Sequence, residues 1–302
     1  MLKEEVKQMN QDNKPKAIMF MLLSALAFTI MQAIIKSTTG IPVLQKVFFR
    51  NLIGLVFTLF LIYKNNLSLF GKKENRKLLF LRGTLGVLGI ITYFYSIEHL
   101  PMADASIISK TNPFFVTLFA WLFLKEKLSK AQIPVLLTAF VGAMLVIRPQ
   151  FSADVIPALV GFAGAIFAGG AYTVLRLLKG KENTTTIVFY FCFFSTIATF
   201  PFVITSFVIP NLTQWILLIS IGLMALIGQY SITLAYSYAP AAEVSIFNYS
   251  SIIIATILGF ILWSEVPDVM SFTGGLLIII AGIFSWWYNK KADRRVPKVP
   301  IQ

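Results

Sequence analysis

The sequence predicts an all-α membrane protein with ten transmembrane helices arranged as a 5+5 inverted repeat. Three observations predict this fold class: the composition, a series of long apolar runs, and two segments that match each other at a fixed offset. Of the 302 residues, 57% are hydrophobic and 13% are charged, whereas a soluble domain carries about 25% charged residues. The charges cluster between long apolar runs, which is the layout of a chain embedded in a lipid bilayer.

The composition also excludes several classes of function. A formal net charge of +13 can indicate a nucleic-acid binder, but the basic residues lie in short loops and tails that flank apolar runs. Basic residues in such places set membrane orientation, so we expect no nucleic-acid partner. Cys192 and His99 are the single cysteine and histidine, too few for a disulfide, a metal site or a nucleophilic triad. We therefore expect no metal, no cofactor, no catalytic residues and no enzyme activity.

A helix needs about 20 apolar residues to cross the hydrocarbon core of a membrane, and ten runs qualify. The first follows a 16-residue polar segment and lacks a cleavage pattern, so it is expected to be a retained helix and not a signal peptide. Three of the runs contain one cation each, namely Arg50, Arg82 and Lys110. The ten predicted spans are Ala17–Ile35, Val47–Tyr63, Leu78–Ile97, Ala105–Leu124, Ala131–Ile147, Val155–Leu175, Thr185–Phe207, Thr213–Tyr236, Val244–Trp263 and Met270–Tyr288.

The distribution of basic residues predicts the orientation. With a cytoplasmic N-terminus and ten alternating spans, 20 of the 26 lysines and arginines face the cytoplasm. Three lie in spans, and three face outward: Lys36, Lys46 and Arg148. This agrees with the positive-inside rule, so we predict a multi-pass cell-membrane protein with both termini cytoplasmic. Its predicted parts are an N-terminal tail (1–16), a first repeat (17–149), a second repeat (153–288) and a basic C-terminal tail (289–302).

An internal repeat is visible when residues 101–126 are compared with residues 240–265. At an offset of 139, without gaps, the matched pairs include Pro101 with Pro240, Asp104 with Glu243, Ser106 with Ser245, Thr117 with Thr256 and Glu126 with Glu265. Five spans separate the two segments, so the copies cross the bilayer in opposite directions. Inverted repeats of this kind suit alternating access around a site near the membrane midplane.

The same region resembles a known family. The run from Leu81-Arg82-Gly83 through Leu100-Pro101-Met102-Ala103-Asp104-Ala105 to Pro113 is similar to the third and fourth helices of the drug/metabolite transporter superfamily, in its EamA-type members. The ending Phe119-Ala120-Trp121-Leu122-Phe123-Leu124-Lys125-Glu126-Lys127, followed by Ile147-Arg148-Pro149, resembles the same family. The likeness covers nearly the whole chain and is greatest to a branch with animal solute-carrier relatives and bacterial uptake carriers for adenosylmethionine-type metabolites. It implies ten helices in two repeats and a metabolite carrier, often an exporter.

Candidate binding residues follow from the cations inside the predicted spans. A cation in a membrane costs about 2.5 kcal/mol or more, so it normally faces a partner or a wet cavity. The predicted fourth and ninth spans also carry polar stripes at helical spacing. The first stripe holds Ser106, Ser109, Lys110, Pro113 and Thr117, and the second holds Ser245, Asn248, Tyr249 and Thr256. The predicted substrate-binding residues are Lys110, Arg50, Ser106, Ser109, Asn248, Tyr249 and Arg82.

Other interpretations of these residues remain open. Arg50 and Arg82 could reach the headgroups or pair with loop acids, and serines in membrane helices often bond to the preceding turn of their own helix. Asp104 and Glu243 stand three residues after a proline at a predicted helix start. There they could cap free amides or take part in coupling or gating.

The predicted function is therefore a transporter that moves a small organic metabolite across the bilayer by alternating access. Because the intramembrane cations outnumber the nearby acids, the substrate is expected to carry an anionic group, as an amino acid, a carboxylate or a nucleotide-like compound does. The alternative is a non-transporting membrane scaffold or sensor that acts through its basic cytoplasmic loops, which would need no polar lining. The sequence leaves open the substrate, the direction of transport, the coupling and a homodimer.

Overall fold

The computed structural model describes residues 13–124, 132–147, 155–178, 181–238 and 245–293. All regular structure in these ranges is helical, which confirms the all-α prediction. There are two 3₁₀ turns, Lys73–Asn75 and Ser245–Tyr249. The α-helices are α1 (Lys14–Ser37), α2 (Val43–Lys64), α3 (Arg76–His99), α4 (Met102–Ser109), α5 (Asn112–Leu124), α6 (Gln132–Ile147), α7 (Ile156–Leu178), α8 (Thr184–Thr205), α9 (Leu212–Tyr238), α10 (Ser250–Trp263) and α11 (Val269–Asp293).

Seven of these helices are long and apolar enough to cross a membrane, namely α1, α2, α3, α7, α8, α9 and α11. Helices α6 and α10 are apolar but shorter. Large apolar side chains such as Val56, Phe123 and Ile204 are exposed on the outside of the bundle. A surface that apolar is a liability in water and a requirement in lipid, so the chain is an integral membrane protein.

The predicted fourth span, Ala105–Leu124, is wrong as a continuous helix. Helix α4 ends at Ser109, and α5 begins at Asn112. The cause is Pro113, which has no amide hydrogen to donate to the carbonyl of Ser109 and whose ring crowds that carbonyl. The amide of Lys110 is shared between Ser106 O at 3.2 Å and Ile107 O at 3.0 Å, and that of Thr111 donates to Ile108 O at 3.1 Å. The chain therefore tightens and breaks at Lys110.

The predicted ninth span, Val244–Trp263, is not a uniform α-helix either, although it contains no proline. It begins with the 3₁₀ turn Ser245–Tyr249 and becomes α-helical at Ser250. At this point Ser250 Oγ donates to Phe247 O at 2.7 Å and Ser251 Oγ to Asn248 O at 2.9 Å. The offset of 139 places Lys110 on Tyr249. The irregular geometry of the two copies thus coincides at this repeat position, and only the first copy has a proline beside it.

The packing of the helices also follows the repeat. Helix α3 packs along α7 in the same way that α9 packs along α1, while α2 lies against α8 and α6 against α11. Exchanging predicted spans one to five with spans six to ten converts the first pair into the second and leaves the other two pairs unchanged. The α6–α11 contact is close enough that a Cβ added at Gly142 would lie 2.8 Å from Gly274 O. Small residues permit this backbone approach between membrane helices.

Ion pairs close one end of the bundle. Lys36 in the last turn of α1 pairs with Glu265, which follows α10. Lys46 in α2 is buried, and its Nζ lies 2.5 Å from Glu98 Oε1 and 3.1 Å from Ile35 O. Two of the three cations predicted to face outward therefore have acidic partners at the same end. The third, Arg148, lies outside the described residues.

Candidate functional site

The two interrupted helices meet at a single polar contact. Lys110, at the break between α4 and α5, donates from Nζ to Asn248 Oδ1 at 3.1 Å. Asn248 belongs to the 3₁₀ turn that precedes α10. A lysine and an amide are thus held against each other where the two copies of the repeat leave regular helical geometry. Among the described residues, no carboxylate forms an ion pair with Lys110.

A second cationic cluster lies on α2, α3 and α8. The guanidinium carbon of Arg50 is 5.3 Å from the centre of the Phe191 ring, and that of Arg82 is 5.0 Å from it. Arg50 Nη1 also donates to Asn51 Oδ1 at 2.6 Å. Arg50 Nε, Arg82 Nε and Arg82 Nη1 are buried and have no hydrogen-bond partner among the described residues. Donors of this kind are costly to leave unsatisfied, which is typical of a site prepared for an acceptor.

The two arginines repel each other in the absence of a counter-ion. Because both guanidinium groups lie about 5 Å from one ring, their carbons are no more than about 10 Å apart. At an effective dielectric constant of about 20, the repulsion is at least about 1.6 kcal/mol. The π face of Phe191 offsets part of this cost. An anion placed between the two guanidinium groups would remove the rest.

The three interior cations are neither fully buried nor fully exposed. Arg50, Arg82 and Lys110 lie deep among protein atoms, yet each side chain remains partly accessible to solvent. Two tyrosines connect the clusters: Tyr93 lies within hydrogen-bonding reach of Ser109, and Tyr172 is close to both arginines. Arg82 and Tyr93 are 11 residues apart on α3, so the two clusters are separated by roughly 16 Å along that helix.

The charge of these cations is uncompensated in the part of the chain that the structure describes. The ion pairs found there join Lys36 to Glu265 and Lys46 to Glu98, and neither involves Arg50, Arg82 or Lys110. Charged groups inside a membrane protein are normally paired or face a pathway. Three interior cations that have no acidic partner among the described residues are suited to bind an organic anion. No three His, Cys, Asp or Glu side chains gather to hold a metal within the described ranges.

Ser106, Ser109 and Tyr249, the other predicted binding residues, lie in different surroundings. Ser106 is buried, and its carbonyl accepts the Ser109 hydroxyl at 2.8 Å. This bond agrees with the alternative in which a serine in a membrane helix bonds to its own helix. The Ser109 hydroxyl also lies within hydrogen-bonding reach of Tyr93. The Tyr249 ring packs against α11, where a Cβ added at Gly282 would be 2.4 Å from its Cζ atom.

The two acids predicted for coupling or gating have different outcomes. Asp104 stands in the first turn of α4, and Glu243 lies outside the described residues. Neither arginine extends toward a helix end, since both pack on Phe191 inside the bundle. Their geometry therefore favours the interior role over contact with lipid headgroups.

Phe191 and Tyr172 are the contributors that sequence reasoning missed. Phe191 is one of several phenylalanines in an apolar stretch of α8, and nothing in that stretch distinguishes it. Its importance comes from α2 and α3, which bring Arg50 and Arg82 against it. An apolar cleft of about 200 Å³ between α5, α6 and α7, bordered by Thr111 and Phe162, has no charged lining and does not belong to this site.

Both halves of the chain are similar to known proteins. The sequence model of the EamA-like transporter family matches residues 15–148 and again residues 155–287. The chain is 36% identical over 269 residues to the pseudopaline exporter CntI of Pseudomonas aeruginosa, with 88% of this chain and 94% of that protein covered. It is 29% identical to a riboflavin transporter of Brucella anthropi, with 82% and 88% covered.

More distant similarities extend over the same length. Human solute carrier family 35 member G1 is 26% identical, with 91% of this chain and 80% of the human protein covered. One crystal structure superposes with a TM-score of 0.66 at 16% identity, and the match covers 93% of this chain and 100% of that chain. At that identity the superposition supports the fold alone.

Proposed function

Because the chain belongs to the EamA-like transporter family, we propose that it carries a small organic metabolite with an anionic group across the membrane by alternating access. The observation that supports the choice of substrate is the set of interior cations, Lys110, Arg50 and Arg82, which have no acidic partner among the described residues. A non-transporting scaffold would have no use for three such groups inside the bilayer, where each is costly.

The topology that accompanies this proposal has ten spans in a 5+5 inverted repeat. Helices α4 and α5 together form the fourth span, and the turn Ser245–Tyr249 with α10 contributes to the ninth. The matched helix contacts and the matched interruptions support this arrangement. The distribution of basic residues supports a cell-membrane location with both termini in the cytoplasm. The end of the bundle that holds Lys36 and Glu265 then faces outward.

The substrate site in this proposal is built from the two cationic clusters. Lys110 binds an anionic group at the helix break, where its ammonium group donates to Asn248 in this structure. Interrupted helices in transporters expose backbone groups to a cavity at mid-membrane depth. Ser106, Ser109 and Tyr249 border this point, and Arg50 with Arg82 attracts the anion deeper in the bundle. Asp104 and Glu243 are proposed to take part in coupling or gating.

For the direction of transport we propose export. The pseudopaline exporter of Pseudomonas aeruginosa is similar along nearly its whole length, whereas another relative is named only as a riboflavin transporter. The substrate is expected among amino acids, carboxylates and nucleotide-like compounds. The shared property of these compounds is an acidic group that can exchange with the Lys110–Asn248 contact.

A ligand screen on purified protein tests the proposal. Metabolites sorted by charge are added, and the melting temperature is measured; a ligand present at 100 times its Kd stabilises the folded protein by about 2.7 kcal/mol. We expect stabilisation by anionic or zwitterionic compounds alone, followed by transport of the same compounds in proteoliposomes. Stabilisation by cationic or neutral compounds alone would overturn the assignment of an anionic substrate.

A further inference from the structure

The ion pair between Lys36 and Glu265 belongs to a larger set of contacts. Lys36 Nζ also donates to Leu100 O at 2.7 Å and lies 5.4 Å from the centre of the Trp263 ring. The second oxygen of Glu265, Oε2, accepts the amide hydrogen of Met102 at 2.8 Å. One carboxylate therefore connects the end of α1, the start of α4 and the end of α10. The first two belong to the first repeat and the third to the second.

The backbone around Glu265 is shaped to deliver its carboxylate to this point. Ser264 ends α10 in the left-handed conformation, with φ of +54°. That region costs a residue other than glycine roughly 1–2 kcal/mol. The reversed chain is held by Glu265 N, which donates to Gly259 O at 3.1 Å. A Cβ added at Gly259 would be 3.0 Å from Glu265 Oε2. The strained turn at Ser264 and the absence of a side chain at Gly259 thus both help to place the Glu265 carboxylate.

Helix α4 connects this carboxylate to the substrate site. It has eight residues and is therefore about 12 Å long. Its first residue, Met102, is held by Glu265, and Gln32 Nε2 donates to the Met102 carbonyl at 3.3 Å. Immediately after its last residue, Lys110 is held by Asn248. The break before α5 makes α4 a separate short helix, with one of these contacts at each end.

We propose that Glu265 is a positioning residue for α4, and that its pair with Lys36 keeps the outer end of the carrier closed. Release of Glu265 moves α4, opens this end and withdraws Lys110 from Asn248. A substrate anion that binds the Lys110 ammonium group displaces it from Asn248. This displacement weakens the contact between Met102 and Glu265 at the other end of α4. Because coupling between two sites is reciprocal, closure at Glu265 also sets the affinity at Lys110. This inference rests on the proposed function for the role of Lys110.

The test is the accessibility of reporter cysteines to a membrane-impermeant maleimide, measured without any substrate. In a Cys192→Ala background, Ser106→Cys reports on α4, where Ser106 is 2% exposed. Tyr172→Cys reports on the surroundings of the two arginines, where Tyr172 is 44% exposed. Right-side-out and inside-out vesicles of the full chain present the two faces separately.

We expect Glu265→Gln to speed outside labelling of Ser106→Cys by about tenfold or more, as loss of a charge-assisted hydrogen bond allows. The same substitution should slow inside labelling of Tyr172→Cys. General loosening of the fold would speed both reactions, so the opposite signs identify gating. Lys36→Met should act in the same direction, and it provides a second variant if Glu265→Gln does not fold.

Glu98→Gln is the matched control. It breaks the other ion pair at this end, which joins Lys46 to Glu98. The Glu98 carboxylate has the same 20% exposure as that of Glu265, but Lys46 and Glu98 both lie in the first repeat. It should leave both labelling rates unchanged. Unchanged rates in Glu265→Gln and Lys36→Met, or equal changes in Glu98→Gln, would overturn the inference. Opposite changes with the two faces exchanged would support the coupling and overturn the proposed topology instead.

Discussion

Replacing Lys110 with methionine should separate substrate binding from stability. The substitution keeps an unbranched side chain at the break between α4 and α5 and removes the ammonium group that donates to Asn248 Oδ1 at 3.1 Å. If Lys110 binds the substrate anion, the variant loses one charge-assisted hydrogen bond in the complex. Such a bond contributes about 1.5–3 kcal/mol, so affinity should fall roughly 10- to 150-fold.

The stability of the same variant should change little, because two effects oppose each other. Loss of the lysine leaves the Asn248 amide without its donor, which costs about 1–3 kcal/mol. Removal of a cation from the membrane interior returns about 2.5–3.5 kcal/mol. The difference runs from about 2.5 kcal/mol of stabilisation to about 0.5 kcal/mol of destabilisation and centres on about 1 kcal/mol of stabilisation. At about 2–4 °C per kcal/mol for a chain of this order of size, the melting temperature should stay within a few degrees of the parent.

The assay is titration of the best anionic compound from the ligand screen, followed by its melting-temperature shift in both proteins. Lys64→Met serves as the control, because Lys64 is exposed at the end of α2 and its loss should alter neither quantity. Unchanged affinity in a folded Lys110→Met variant would refute the role of Lys110 in binding. A drop of more than about 10 °C without ligand would show instead that the Lys110–Asn248 contact is structural.

Four further substitutions test the geometry. Arg82→Lys should weaken binding of the same compound about tenfold, since a lysine cannot present the planar fork of a guanidinium group; full affinity would mean that a point charge suffices. Gly282→Ala should destabilise the protein by about 1–3 kcal/mol through overpacking, because the new Cβ would be 2.4 Å from Tyr249 Cζ. Adding Tyr249→Leu should recover most of that loss in denaturant titrations, and simple addition of the two losses would contradict the contact. Gly142→Leu should prevent folding, visible in size-exclusion profiles, because its Cβ would be 2.8 Å from the Gly274 carbonyl and a backbone atom has little freedom to move.

The resemblance stated from the sequence is confirmed by the family match over both halves of the chain. The all-α fold and the apolar helices were predictable because membrane-spanning segments are written in composition and run length. The contact between the fourth and ninth spans was also within reach, since Lys110 and Asn248 stood out as polar residues in apolar runs. Such residues are rare inside a membrane, so their pattern carries information that most apolar positions lack.

The helix interruptions were not predicted, and the reason is local. Pro113 was visible in the sequence, but prolines are tolerated in membrane helices when neighbouring groups satisfy the freed carbonyl. Whether the chain kinks or breaks depends on partners from other helices. In the second repeat the signal was only Ser250 and Ser251, whose hydroxyls bond within their own turn in many unbroken helices. The Phe191 contact was equally hidden, because an aromatic ring in an apolar run looks the same whether it faces lipid or two guanidinium groups.

The two interruptions bear directly on how the carrier is built. Pro113 breaks the helix of the first repeat, whereas the second repeat changes from 3₁₀ to α-helical geometry without a proline, so the shared feature is the position and not the residue that produces it. Irregular geometry at one repeat position without a shared residue favours a role for the geometry itself. Only an interrupted helix gives α4 a separate attachment at each end, to Glu265 and to Asn248. A continuous fourth span could bring a lysine to mid-membrane depth, but it could not move that lysine without tilting the entire helix.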